Sequence, residues 1–144
     1  MTTFLLTSCS KTTEAISRQE QEKKFLDAFG FSPPKDLIEI NYSDAYKRHL
    51  MDGGYGQWMR FTYNEDVFAK ILKEKAYKQQ PGVSPSFLTG KAQPKWWQAS
   101  DNEKTIVYSM GSEDIQESEG FSFREYIWHD AASNYVYFHK RYWD

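Results

Sequence analysis

The sequence has little cysteine, little excess charge and no long apolar run. Its 144 residues include one Cys, so no internal disulfide can form. The formal net charge is -2 at pH 7, with acids and bases interspersed, which gives no electrostatic footprint for nucleic acid. No apolar stretch approaches the ~20 residues that a bilayer-spanning helix needs. These absences favour one domain that folds without disulfide staples, and they leave its function open.

Aromatic residues are in excess: ten Phe, ten Tyr and five Trp make up 17% of the chain. Because Leu, Ile and Val are few, much of the core must be aromatic. Trp and Tyr also combine an apolar body with a polar edge, which suits a binding surface. We therefore expect aromatic side chains both in the core and at an amphipathic surface.

The single cysteine follows a short apolar run near the N-terminus. Leu6-Thr7-Ser8-Cys9 resembles the lipobox of bacterial lipoproteins, in which signal peptidase cuts before the Cys and the thiol carries lipid. The resemblance covers these four residues only. It implies a membrane anchor on Cys9 and a domain that faces the periplasm, with Ser10 favouring the outer membrane. The alternative is a frayed polar N-terminus with a stray thiol on a cytoplasmic protein.

The eight residues before Cys9 are fewer than a secretory leader requires, since such a leader has a basic region and about 7–15 apolar residues. Residues 1–13 are therefore predicted to be a truncated signal-like segment and tether. Residues 14–144 are predicted to form a single domain.

Two segments have helical patterns. The first is predicted to begin at a Thr12 or Thr13 cap and to end at Gly30, before Pro33-Pro34. Its broken apolar stripe consists of Ala15, Ile16, Phe25, Leu26 and Phe29. The second follows an Asn64 cap and has clear amphipathic spacing, so it should lie on a sheet. Its stripe consists of Val67, Phe68, Ile71, Leu72 and Ala76.

Strand patterns occur at residues 37–42, 57–63, 104–110, 121–128 and 135–143. The order α-β-β-α-β-β-β has no βαβ alternation, so it predicts an α+β fold in which two helices pack on an antiparallel sheet of about five strands. Residues 79–95 contain prolines and glycines and should form a long loop, a kind of segment that is often functional. One of Trp96 and Trp97 is expected inside the domain.

The last two strands supply the candidate site. A turn centred on Ala131-Ala132 would pair Trp128 with Tyr135 and give the hairpin two distinct faces. The core face would hold Phe121, Phe123, Glu125, Ile127, Val136, Phe138, Lys140 and Tyr142. The outward face would hold Arg124, Tyr126, Trp128, Tyr135, Tyr137, His139 and Arg141.

Trp, Tyr and Arg are enriched at interface hot spots, so the outward face is predicted to contact a protein partner. The residues predicted to do so are Trp128, Tyr126, Tyr135, Tyr137 and Arg124. The alternative is that these cross-strand aromatic pairs only stabilise the sheet.

No motif indicates catalysis, a cofactor or a metal ion. His129 and His139 should lie on opposite faces of the hairpin, with Asp130 in its turn. The sequence therefore leaves three hypotheses. The favoured one is a non-enzymatic envelope domain that binds a protein as an inhibitor, immunity factor or accessory. The second is a small-ligand binder with a pocket between the sheet and residues 79–97. The third, an enzyme with an unfamiliar site, is least favoured.

Overall fold

The structure is a computed structural model that describes residues 17–45, 55–85, 93–100, 102–114 and 122–143. The elements of the first half are α1 (Arg18–Phe29), β1 (Ile40–Ala45), β2 (Tyr55–Thr62) and α2 (Glu65–Glu74). Those of the second half are β3 (Lys78–Gln79), β4 (Tyr108–Gly111), a 3-10 turn (Ser112–Asp114), β5 (Ser122–Asp130) and β6 (Tyr135–Trp143). The predicted tether and Cys9 lie outside the described residues, as do Thr12, Thr13, Ala15 and Ile16.

The strands form one antiparallel sheet in the order β1-β2-β6-β5-β4-β3. The α+β prediction is confirmed, with six strands rather than about five. The additional strand, β3, has two residues and lies at the sheet edge within a segment predicted to be loop. So short a strand has no alternation to detect, which explains why the sequence did not indicate it.

The predicted cap of α2 and the predicted end of α1 are confirmed, but α1 begins later than predicted, because Ser17 and not Thr12 or Thr13 is its cap. Ser17 caps α1 by accepting a hydrogen bond from the Glu20 backbone N–H, and Gly30 follows the helix in the left-handed region at φ 83°. Asn64 caps α2 through the Val67 N–H. Within the α2 stripe, Val67 and Ile71 are buried and Phe68 and Leu72 are partly buried, so the predicted helix phase is confirmed. Ala76 lies beyond the helix end and is exposed.

The β5–β6 hairpin differs from its predicted register by two residues. Trp128 pairs with Tyr137 rather than Tyr135, because the turn has four residues, 131–134, instead of two. Asn134 ends this turn at φ 61°, and its N–H donates to the Asp130 carbonyl over 2.8 Å. Asn tolerates this left-handed conformation better than most residues. Since the shift is even, both predicted faces keep their membership among the described residues, and Phe121 lies outside those residues.

The two faces of the sheet bury two separate clusters. The helix face is covered by α1 and α2. Its buried residues are Phe25, Phe29, Leu37, Ile40, Met59, Phe61, Val67, Ile71, Ile127, Val136 and Phe138. The opposite face holds the buried residues Trp58, Trp97, Val107, Trp128 and Tyr137. We call residues 93–100, which lie over this second cluster, the strap, and the face itself the strap face.

Candidate functional site

The aromatic face of the last hairpin is not an open surface. Trp128 and Tyr137 are both 0% exposed, so the expectation that they face solvent is wrong. Their rings stack on each other with centroids 5.8 Å apart. Trp97 of the strap lies across both rings in edge-on contact, with its centroid 4.9 Å from Tyr137 and 5.7 Å from Trp128. These residues form a second core layer.

The strap is held near its middle, at Trp96, and at its C-terminal end, at Ser100, by buried or half-buried polar groups. Arg60 Nη1 on β2 donates to the Trp96 carbonyl over 2.9 Å, and its guanidinium lies 5.5 Å from the Trp96 ring. At the other end, Ser100 Oγ donates to the Asp130 carboxylate over 2.6 Å. Burial alone would raise the pKa of Asp130, but the hydrogen bonds from Ser100 and Ser133 outweigh it and lower that pKa.

The other predicted contact residues, Tyr126, Tyr135 and Arg124, are half-buried. Tyr135 Oη donates to Glu39 Oε2 over 2.5 Å, and the Arg60 guanidinium lies 4.1 Å from its ring. The bond to Glu39, together with burial, raises the pKa of Tyr135. Arg124 donates to Ser109 Oγ over 3.1 Å and pairs with Glu113. Tyr135 and Arg124 thus have polar partners within the chain, and Tyr126 packs against the strap-face cluster, which leaves little of this face for a second protein.

His139 belongs to the same aromatic layer. Its ring stacks on Trp58 at 4.9 Å, and Nδ1 lies 2.9 Å from the Gln57 carbonyl. Burial lowers the pKa of His139 to about 4, so the ring is neutral at physiological pH. The buried indole N–H groups of Trp58, Trp97 and Trp128 have no hydrogen-bond partner. As predicted, His129 lies on the other face, where it stacks on Tyr63 at 3.6 Å.

A buried charge lies on the helix face, among apolar side chains. Glu125 is 1% exposed, and its Oε1 accepts hydrogen bonds from Lys75 Nζ and from Tyr77 Oη, the latter over 2.5 Å. Lys140 Nζ lies 3.5 Å from Glu125 Oε2. Burial lowers the pKa of Lys75, and burial together with Glu125 raises the pKa of Tyr77 well above its usual value. Glu125 was predicted on this face, but its partners were not.

A cleft opens where β3 and β4 separate. The last bond between their segments runs from the Gln80 N–H to the Val107 carbonyl over 2.8 Å. Beyond it, residues 79–84 and 103–107 enclose a hollow of about 450 Å³. A second hollow of about 330 Å³ lies across residues 104–106, lined also by Phe68, Tyr108 and His129. We call these two hollows and the residues between them the strand-end cleft.

Ile106 stands between the two hollows and lines both. Its side chain is 52% exposed, which makes it one of three large hydrophobic residues exposed in the described part of the chain. The other two are Leu26 and Ile38. Ile106 has one of the two hollows on each side, so a ligand in the strand-end cleft could enclose it. Nothing in the sequence distinguishes Ile106 from a core residue, so its place in the cleft was not predicted, although a ligand pocket was predicted between the sheet and residues 79–97.

The described residues contain no candidate metal centre. No group of three or more His, Cys, Asp or Glu side chains there could hold a metal ion. None of the described helices is long and apolar enough to cross a membrane. Comparison with known proteins finds no matching family, no similar curated protein and no similar solved structure. Function must therefore be inferred from the geometry itself.

Proposed function

We propose that this protein is a non-enzymatic binding domain that accepts an extended segment of a protein partner at the strand-end cleft. The observation that supports this function is the separation of β3 from β4 beside the exposed Ile106. The hairpin face predicted for this role is occupied by the strap. The cleft is therefore the better candidate for the partner surface among the described residues.

An extended peptide suits this cleft because its walls are two chain segments that leave an antiparallel pair. A strand of a partner can continue such a pair through main-chain hydrogen bonds, while pockets for alternate side chains give specificity. Ile106 and the half-buried Phe68 and Tyr108 would supply the apolar contacts. Glu103 and Lys104 at the cleft would supply charges of both signs.

We propose further that the domain is tethered to a bacterial membrane through lipid on Cys9 and faces the periplasm. The support is the lipobox-like Leu6-Thr7-Ser8-Cys9 segment. Incorporation of labelled palmitate into wild type, and none into Cys9→Ala, is the expected result. Equal incorporation into both proteins, or none into either, would remove the anchor and leave the cleft proposal intact.

The second candidate function is small-ligand binding at the same cleft. A hollow of about 450 Å³ lies within the roughly 300–1,000 Å³ typical of small-molecule sites. It also lies close to where the sequence placed a ligand pocket, beside the segment that begins at residue 79. We favour a peptide over a compact ligand because the walls of this hollow are two chain segments that diverge from an antiparallel strand pair.

A random peptide library selected on the full chain tests the proposed function. Ile106→Asp should weaken the selected peptides at least about tenfold, because it places a charge at the apolar centre of the cleft. Ile38→Asp is the matched control, since Ile38 is 76% exposed and does not line the cleft. It should bind the peptides as wild type does.

Methylation of the peptide backbone separates strand addition from other modes of binding. N-methyl groups placed at alternate residues should weaken binding at least about tenfold where the methylated N–H groups donate to a wall of the cleft, and should have little effect where those groups point to solvent. Equal binding by wild type and Ile106→Asp would overturn the cleft as the site. Selection of no peptide, with saturable binding of a compact ligand that Ile106→Asp removes, would favour the second function.

A further inference from the structure

A small polar hollow lies at the opposite end of β5 from the strand-end cleft. Its volume is about 100 Å³, and it is enclosed between α1 and the strands β1, β2 and β6. The residues around it are Lys24, Asp27, Ala28, Tyr42, Gln57, Lys140 and Tyr142. Four separate elements thus contribute polar side chains to one confined space.

The two lysines of this hollow are positioned by aromatic rings. Lys24 Nζ lies 4.7 Å from the centre of the Tyr42 ring. Lys140 Nζ lies 4.9 Å from the centre of the Tyr142 ring and 4.4 Å from that of Phe123. A ring orients an ammonium group by cation–π attraction but does not neutralise its charge. The rings therefore leave the positive charge of both ammonium groups in place.

The charges around the hollow do not cancel. The Lys140 ammonium lies 3.5 Å from the buried Glu125, which also accepts a hydrogen bond from Lys75. Lys75 donates in addition to the Ala28 carbonyl over 2.9 Å, so its ammonium lies close behind the wall of the hollow. Three ammonium groups, those of Lys24, Lys75 and Lys140, thus stand against two carboxylates, those of Asp27 and Glu125.

We propose that this hollow binds a small carboxylate that carries one negative charge. One such charge balances the excess positive charge of the described groups, and the Gln57 side-chain amide can donate a hydrogen bond to a carboxylate oxygen. A doubly charged phosphate fits less well, because Asp27 would then face uncompensated negative charge. The volume of about 100 Å³ restricts the ligand to a few heavy atoms. This site is independent of the function proposed for the cleft.

Titration of the full chain with sodium acetate, followed by NMR of the amide signals, tests this site. Saturable shifts at Gln57 and Tyr142 are expected. Lys24→Gln should weaken acetate binding about tenfold, since it removes one charge-assisted partner. Lys23→Gln removes the same charge from the adjacent, exposed position of α1 and should leave acetate affinity unchanged. Methylammonium, with the opposite charge, should give no saturable shift.

Lys140→Gln is a second variant, in which the buried Glu125 keeps its hydrogen bonds from Lys75 and Tyr77. This variant should also weaken acetate binding at least about tenfold while the amide spectrum stays dispersed. Linear shifts without saturation would overturn the site. So would equal acetate affinity in Lys24→Gln and Lys23→Gln, or tighter binding of inorganic phosphate than of acetate.

Discussion

The two faces of the sheet are both buried, but different kinds of structure cover them. On the helix face, α1 and α2 pack phenylalanine and aliphatic side chains against the strands. On the strap face, residues 93–100, which contain no helix or strand, insert Trp97 among the rings of Trp128 and Tyr137. Alternation along a strand therefore divides residues between two faces, but it does not reveal whether the second face meets solvent.

On the strap face, an irregular segment covers the sheet in the way that helices cover its other face. Regular elements satisfy their own backbone groups, whereas the strap depends on side chains such as Arg60 and Asp130 to bond it. If the strap covers a true core, then removal of the Trp97 ring should lower the free energy of unfolding as much as removal of a buried ring of α1. If the strap is only a surface loop, removal of the Trp97 ring should change the free energy of unfolding little.

The largest expected effect compares one anchor from each face. Phe25→Ala and Trp97→Ala should each lower the free energy of unfolding by about 3–5 kcal/mol, because each removes a fully packed ring. Trp96→Ala is the matched control within the strap and should cost less, since Trp96 is only half-buried. Urea denaturation measures all three. A cost below about 1 kcal/mol for Trp97→Ala would show that the strap face has no second core.

His139 lies in the aromatic layer of the strap face, so the dependence of the free energy of unfolding on pH tests whether that face is buried. The unfolded chain binds a proton near the ordinary pKa of 6.5, whereas folded His139 does so only near 4. The free energy of unfolding should therefore fall as the pH drops from 6.5 to 4, by about 3 kcal/mol in total.

The control for this titration is His139→Phe, which keeps a ring against Trp58 but cannot titrate. Its overall stability should be lower because the contact with the Gln57 carbonyl is lost. The fall attributed to His139 should nevertheless be absent. An unchanged slope between pH 6.5 and 4 in this variant would mean that His139 is not the group responsible.

The smallest expected effect concerns the far end of the strap. Ser100→Ala removes the 2.6 Å bond to Asp130 and should cost about 1–2 kcal/mol. Ser133→Ala removes a 2.8 Å bond to the same carboxylate from within the turn and serves as the control. Hydrogen exchange at the Trp97 indole should accelerate more in Ser100→Ala than in Ser133→Ala. Equal acceleration would indicate that Ser100 does not hold the strap.

Much of the fold could be predicted from local sequence, and the reasons are visible in its elements. The Asn64 cap and the helical spacing of apolar residues predicted α2. Alternation predicted which residues of β2, β5 and β6 share a face of the sheet. The hairpin register was wrong because a left-handed Asn134 lengthened the turn. Since that conformation depends on tertiary contacts as well as residue type, local pattern alone did not determine it.

The candidate site was far less predictable. The expectation that one of Trp96 and Trp97 lies inside the domain is confirmed by the buried Trp97. The strap has no periodicity, however, so nothing in its sequence indicated that Trp97 would cover Trp128 and Tyr137. The partners of Glu125 are about fifty residues away in the chain, at Lys75 and Tyr77, and no local pattern joins them. Ile106 likewise becomes distinctive only when β3 and β4 are seen to separate.

Exchange of the tryptophan indole protons in D2O tests most directly whether the strap face of the sheet is buried, as the helix face is. The indole N–H groups of Trp58, Trp97 and Trp128 are buried without a partner, whereas Trp96 is only half-buried. NMR should therefore show three indole signals that persist long after transfer to D2O and a rapid loss of the Trp96 signal. Loss of all three buried indole signals within the dead time would contradict a second core and return the hairpin face to solvent.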